Sequence, residues 1–185
     1  MIQQVLAQQL RSSHAAPVIE AVRLPDLIER AVEMVPIALR PFLSINVDSA
    51  LQSLKSVHVA RTTLQQVFQN LIQNAAESMR DVGRARGNLH VSGGIVGGPE
   101  GGKLQVRFTD DGVGIAAEHL PRIFERGFST KSRESNSGIG LHWCANALHA
   151  LGGSLKAEIS ASGQGASFLV TLPMVEQGTG AARAA

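Results

Sequence analysis

The chain has 185 residues, 44% hydrophobic and 17% charged, with a formal net charge of +2, which suits one globular domain with a proper core and short flanking pieces. No apolar run reaches membrane-spanning length, the opening MIQQVLAQQLRSS lacks a signal layout, and the single cysteine, Cys144, excludes a disulfide framework and suits a reducing compartment. The pI of about 9.1 is inflated by the absence of tyrosine, so the small excess of base does not indicate nucleic-acid binding.

Residues 1–12 read as a short glutamine-rich helix, the end of something longer, broken at SSHAAP (12–17). Val18–Leu24 reads as a strand. A helix opened by LPD follows, running through Leu27, Ile28, Ala31, Val32 and Val35. A second strand is expected at Phe42–Val47, where Leu43, Ile45 and Val47 alternate.

The clearest element is the next helix. Thr62 and Gln65 have capping-box spacing. Leu64, Val67, Phe68, Leu71, Ile72, Ala75 and Met79 form one broad apolar stripe, and Gly83 is a reasonable stop. At about 100° per residue, Asn74 falls beside the edge of that stripe and Asn70 about one 40° step further out. Asparagine weakens a helix interior because its amide competes for backbone hydrogen bonds. Two on one side imply that something outside the helix needs a neutral carbonyl oxygen.

Strands are expected at Asn88–Val96 and Lys103–Asp110, joined by the hairpin GGPEGG. FTDDGVGIAA (108–117) fits a dinucleotide loop in its spacing of Gly112, Gly114 and Ala117. Asp110 and Asp111 argue against that reading, because they would lie against a pyrophosphate that wants N–H groups. A carboxylate there suits an exocyclic amine instead; the alternative is a plain Asp-Gly turn.

The stretch 111–137 reads as loop, with helical content only near Ala116–Leu120 and Pro121–Glu125. Within it, FERGFSTKSRES (124–135) mixes Phe124 and Phe128 with Arg126, Lys131 and Arg133, cations able to reach a polyphosphate. It is either a lid that docks on a ligand or a solvated surface loop. SNSGIGLHWCANAL (135–148) puts Gly138 and Gly140 at the start of a helix running to Leu151, where bare glycines admit an anion to the first-turn amides. No P-loop, H-E-x-x-H or hydrolytic triad is present; His142 and His149 read as half-exposed helix residues and Cys144 as core. Strands Ser154–Ser160 and Ala166–Leu172 close the domain, and the tail from Val175 reads as disordered. These elements predict an α+β two-layer sandwich, a mixed sheet with helices on one face.

Taken in order, the pieces resemble the ATP-binding domain shared by bacterial sensor histidine kinases, gyrase, Hsp90 and MutL. NLIQNAAESM (70–79) is similar to the kinase N-box, DDGVGI to the first glycine box, FERGFSTK to the F-box, SGIGL to the second glycine box and GQGASFLVTLP to the closing strand pair. The likeness covers roughly residues 20–173. It implies a Bergerat-type ATP-binding fold over 18–174, preceded by the stub of a dimerisation-domain helix and linker (1–17) and followed by the tail (175–185), with ATP and Mg²⁺ as cofactors.

The resemblance also implies roles. Asp110 would accept the adenine amino group, with Gly112, Gly114 and Ile115 forming the glycine box around the base. Asn74 would give its oxygen to Mg²⁺. Lys131 would reach the terminal phosphates, with Arg126 the weaker candidate, and the amides at Gly138, Ile139, Gly140 and Leu141 would cradle the phosphate chain. Ser167 is a second expected contact near the base. Two departures stand out: Glu77 replaces a frequent basic residue, and Asp111 a frequent asparagine.

Hydrolytic members of the superfamily carry a glutamate where this chain has Asn70, and a neutral amide cannot take a proton from water. The resemblance therefore implies phosphoryl transfer to a histidine on a dimerisation domain of the same parent protein, and onward to a response regulator. Asn70 and Lys131 would be the catalytic residues. An ATP-hydrolysing clamp and a non-catalytic nucleotide-sensing module remain the alternatives. His14 does not read as the acceptor, since Pro17 ends any helix around it. A cytoplasmic, monomeric or weakly dimeric fragment with no nucleic-acid partner is expected; the sequence leaves membrane anchoring of the parent open.

Overall fold

The computed structural model describes residues 17–83, 85–97, 102–130, 138–159 and 165–174. The expected helix over 1–12, His14, Lys131, Arg133 and the tail from Val175 lie outside them.

Strand β1 (Ile19–Val22) leads into helix α1 (Leu24–Glu33), which has Pro25 and Asp26 in its first turn. Proline there removes an amide that would lack a partner, and the carboxylate favours the positive helix end. Leu24, Leu27, Ile28 and Ala31 share one side and are all buried. Arg40 closes the other end: its guanidinium donates to the Val35 carbonyl at 2.9 Å and to the Glu33 carbonyl. A 3₁₀ turn at Arg40–Phe42 then feeds strand β2 (Leu43–Val47).

Two short elements that periodicity did not predict come next. Helix α2 (Ser49–Gln52) is capped by Asp48, whose carboxylate accepts the Ala50 amide at 3.3 Å. Strand β3 (Val57–Ala60) pairs antiparallel with β1 and runs straight into helix α3 (Arg61–Asp81). That junction overturns the expected capping box. Ala60 occupies the cap position with no side-chain bond, and Gln65 Nε2 donates to the Met34 sulfur at 3.2 Å. The apolar stripe itself holds: Leu64, Val67, Phe68, Leu71, Ile72, Ala75 and Met79 are all buried. Each large side chain among them contributes roughly 1.5–3 kcal/mol by leaving water.

Strands β4 (Gly87–Val96) and β5 (Lys103–Asp110), helix α4 (Gly140–Ala150), and strands β6 (Ser154–Ile159) and β7 (Ala166–Pro173) complete the domain. The main sheet has the order β2-β4-β5-β7-β6. Only its β2–β4 pair is parallel, so the sheet is mixed as expected. Helices α3 and α4 pack on one face, where the Phe68 and Phe108 rings meet edge-on with centroids 5.0 Å apart.

Alternation along β5 positions the chemistry. Leu104, Val106, Phe108 and Asp110 are buried, while Lys103, Gln105, Arg107 and Thr109 are not. Asp110 thus ends an otherwise apolar inward row. The expected helical content at 116–125 is absent: the described backbone there forms consecutive tight turns, with His119 N bonded to Ala116 O and Arg122 N to His119 O, each at 2.9 Å.

Candidate nucleotide site

A cavity of about 510 Å³ opens between α3, the end of β5, the start of β7 and the start of α4. Helix α3 contributes Asn70, Gln73, Asn74 and Ser78, one continuous face at spacings of three and four residues. Both asparagines therefore face the same space.

At one end lies Asp110, 5% exposed. Its Oδ1 accepts the Gly112 amide at 2.9 Å and the Ala166 amide at 3.3 Å, tying the loop after β5 to the first residue of β7. Glycines let these backbones meet. A Cβ on Gly165 would lie 1.8 Å from the Asp110 carbonyl oxygen, and one on Gly114 2.8 Å from the Gly165 carbonyl oxygen; both have φ near +80° (+78° and +81°). Ser78 fixes the loop from the helix side. Its Oγ accepts the Val113 amide at 2.9 Å, and a Cβ on Gly112 would sit 2.2 Å from it.

The two adjacent aspartates part company. Asp111 turns toward the start of β4, where it accepts the Asn88 backbone amide at 2.8 Å and the Asn88 side-chain amide at 3.1 Å. Its position is structural, whereas the Asp110 side holds the cavity.

At the other end, Gly138, Gly140 and Leu141 line the cavity where α4 begins. Ile139 stands at the cap position of that helix and makes no side-chain cap bond; first-turn amides at a helix start are the kind of donors an anion takes. A Cβ on Gly140 would lie 3.4 Å from Asn70 Oδ1, placing that amide directly over the helix start. Gly138 accepts the Gly127 amide at 3.0 Å and has φ of +63°. Phe128, Ser129 and Thr130 form the adjoining wall together with His119. The Phe128 ring lies 5.5 Å from His119 and 4.9 Å from the Arg122 guanidinium. Behind this wall His142 Nδ1 meets the Phe124 carbonyl at 2.9 Å while Asn146 Nδ2 approaches His142 Nε2 at 2.9 Å. A carbonyl only accepts, so Nδ1 carries the proton and the ring holds the turn after Phe124 to α4.

Cys144 lies fully buried beneath Asn70. Burial pushes its thiol up to about 12, and the hydrogen bond with the Asn70 side chain opposes this only in part. It is an inert core thiol, as its sequence context predicts.

Of the expected site residues, Asn70, Asn74, Asp110, Gly114, Ile115, Gly138, Gly140 and Leu141 line one cavity. Gly112 lies behind the wall against Ser78, Arg126 is on an exposed turn, and Ile139 is the cap residue outside the lining. Ser167 is a correction. It pairs across the sheet with Thr109, and its hydroxyl meets Thr109 Oγ1 at 3.1 Å and the Arg107 guanidinium at 3.2 Å on the face turned away from the cavity. Its neighbours Ala166 and Phe168 line the cavity instead. Lys131 lies outside the described residues.

The residues suit a nucleotide. A buried carboxylate beside an apolar wall can take an exocyclic amine, and an uncapped helix start can take phosphate. Among the described residues no group of three or more His, Cys, Asp or Glu could hold a metal ion. A cation here would have to arrive with phosphate oxygens and accept neutral amide oxygens, a donor set that fits Mg²⁺.

The profile of the family described as "Histidine kinase-, DNA gyrase B-, and HSP90-like ATPase" matches residues 60–176, more than half of the chain. The chain is 33% identical over 117 residues to the sensor protein FixL of Bradyrhizobium diazoefficiens, covering 63% of this chain and 22% of FixL. It is 30% identical over 146 residues to the autoinducer 2 sensor kinase/phosphatase LuxQ of Vibrio harveyi, covering 77% of this chain and 16% of LuxQ. The chain thus spans less than a quarter of either relative. Among solved structures, full-length ShkA in complex with AMPPNP has a similar fold, with a TM-score of 0.69 at 23% identity over 88% of this chain and 32% of ShkA. The catalytic domain of histidine kinase ThkA aligns with a TM-score of 0.66 at 24% identity, covering 84% of this chain and 95% of that domain.

Proposed function

The chain belongs to the histidine kinase-, DNA gyrase B- and HSP90-like ATPase family and carries the ATP-binding domain of sensor histidine kinases, and from this premise we propose that it binds MgATP in the cavity and gives the γ-phosphate to a histidine of a dimerisation domain. Asp110 receives the adenine amino group, and the cavity wall of Gly114, Ile115 and Phe168 packs on the base. Asn74 offers its oxygen to Mg²⁺, which when bound neutralises phosphate charge. The first-turn amides of α4 hold the phosphate chain, with Lys131 reaching its end. In the transfer a histidine nitrogen bonds to the γ-phosphorus, the bond to the bridging oxygen breaks, and ADP leaves with that electron pair. The phosphoryl group then passes to a response regulator.

The observation that carries this reading is Asn70. It stands over the start of α4, beside the proposed phosphate chain, and it is an amide. Among the described lining residues Asp110 is the one carboxylate, and it lies at the base end, bonded to two backbone amides. Hydrolysis needs a base near the γ-phosphate. Among the described lining residues, the competing hydrolytic reading would turn to His119, the imidazole of the wall.

Calorimetry with a non-hydrolysable ATP analogue, followed by transfer from radiolabelled ATP to the separately supplied acceptor domain, tests the proposal. Binding is expected without fast turnover, and label should appear on the acceptor only when both are mixed. Asp110→Asn should weaken binding about 10- to 100-fold, as expected for losing a hydrogen bond to a charged group. Vigorous steady-state hydrolysis that disappears in Asn70→Ala or His119→Ala would sink the transfer reading, and unchanged binding in Asp110→Asn would remove the base assignment.

A further inference from the structure

Glu77 stands where a basic residue is frequent, and a lysine or arginine there would reach for phosphate. The side chain present does something else. It is 6% exposed and is not among the residues that line the cavity. Its Oε1 accepts Gln73 Nε2 at 3.0 Å, one helical turn back along α3. Gln73 does line the cavity, next to Asn74.

The chemistry of this pair fixes an orientation. A glutamine amide has a donating end and an accepting end of nearly equal shape. A carboxylate oxygen can only accept, so the NH₂ end must face Glu77 and the carbonyl oxygen must point elsewhere. An anion behind the amide also polarises it, making the outer oxygen a better donor of electron density.

We propose that Gln73 supplies, beside Asn74, a second neutral oxygen to the shell of the divalent cation that accompanies the nucleotide, and that Glu77 is the residue that positions it. This rests on the reading of the cavity as a MgATP site. Mg²⁺ prefers oxygen, sheds its waters reluctantly and is usually bound by one or two protein oxygens plus phosphates. Gln73 serves such an ion directly or through one of its waters. Outer partners that orient a ligand typically govern metal affinity by 10- to 100-fold. Glu77 then has a role in cation binding although it touches neither cation nor nucleotide.

The test measures affinity for AMPPNP by calorimetry, in Mg²⁺ and in EDTA, and takes the ratio as the cation's contribution. Gln73→Leu should lower that ratio about tenfold and leave the EDTA affinity within about twofold. Glu77→Leu should do the same. Glu77→Gln keeps an acceptor for Gln73 but no longer forces its orientation, and should lie between parent and Glu77→Leu. Circular dichroism and thermal melting establish folding; should Glu77→Leu not fold, Gln73→Leu and Glu77→Gln carry the test. A parent-like ratio in Gln73→Leu overturns the proposal. So does an equal loss in Mg²⁺ and EDTA, which would make Gln73 a contact of the nucleotide itself. If Asn74→Ala lowers the ratio while Gln73→Leu does not, this inference fails and the MgATP reading stands. If the parent binds no AMPPNP in either buffer, both fall together.

Discussion

Where β5 meets β7, the cavity wall is held by bonds within the protein: Asp110 to Gly112 and Ala166, Ser78 to Val113, Gly165 packed on the Asp110 carbonyl. Where α4 begins, the wall is a helix start with no side-chain cap, a glycine in ordinary contact distance of Asn70, and a loop of Phe128, Ser129 and Thr130. The first end is tied together by bonds within the protein; at the second, the cap residue Ile139 adds no side-chain bond to the helix start. Polar groups held in a fixed place by the protein give selectivity because a ligand must match their position and polarity. Free first-turn amides give affinity for negative charge with little discrimination among anions. The contrast suits the proposed division of the site into a base end and a phosphate end.

The two ends should respond differently to the same kind of substitution. Gly165→Ala should have the largest effect. Its new carbon would fall 1.8 Å from the Asp110 carbonyl oxygen at a φ of +78°, and its three nearest neighbours are all backbone atoms of Asp110 and Asp111. A cost of at least ~3 kcal/mol corresponds to a melting temperature lower by roughly 10 °C for a domain of this size. Thermal melts check it, and a near-parent transition would show that the junction can yield. Ser78→Ala comes next. It leaves the Val113 amide without its acceptor and should cost about 1 kcal/mol, with nucleotide affinity falling severalfold as the loop loses its register on α3. Parent-like affinity in calorimetry would mean that Asp110 alone holds the loop.

The legible parts of this molecule share a property: they follow from a single period. The stripe from Leu64 to Met79 and the inward row ending at Asp110 could be counted along the chain, and they position Asn70, Asn74 and Asp110. Ser78 extends the Asn70–Asn74 series by one more step of four and could have been found the same way. What failed needed partners. Strand β3 is four residues long and exists by pairing with β1, so capping-box spacing alone points to the wrong helix start. The resemblance puts Ser167 near the base, whereas register sets it opposite Thr109, and a shift of one residue moves a side chain to the other face of a sheet. Glu77 could be flagged as a departure and its step of four from Gln73 counted; that Glu77 is buried and Gln73 lines the cavity needed the folded structure.

The smallest expected effect discriminates best between the two ends. Gly140 opens α4 with no positive φ, and an added Cβ would stop 3.4 Å from Asn70 Oδ1, a contact that a slight movement of the amide relieves. Alanine is also the better helix former, by up to ~1 kcal/mol in a helix interior. Gly140→Ala should therefore melt at the parent temperature or slightly above, the opposite of Gly165→Ala. Its methyl would nonetheless narrow the approach to the first-turn amides, and affinity for an ATP analogue should fall about threefold, a cost of ~0.6–0.7 kcal/mol. Adenosine, which has no phosphate, should bind as it does to the parent. Calorimetry with both ligands separates the outcomes. Equal loss for adenosine and the ATP analogue would mean that strain at α4 reaches the Asp110 end, and the two ends would then have to be treated as one mechanical unit.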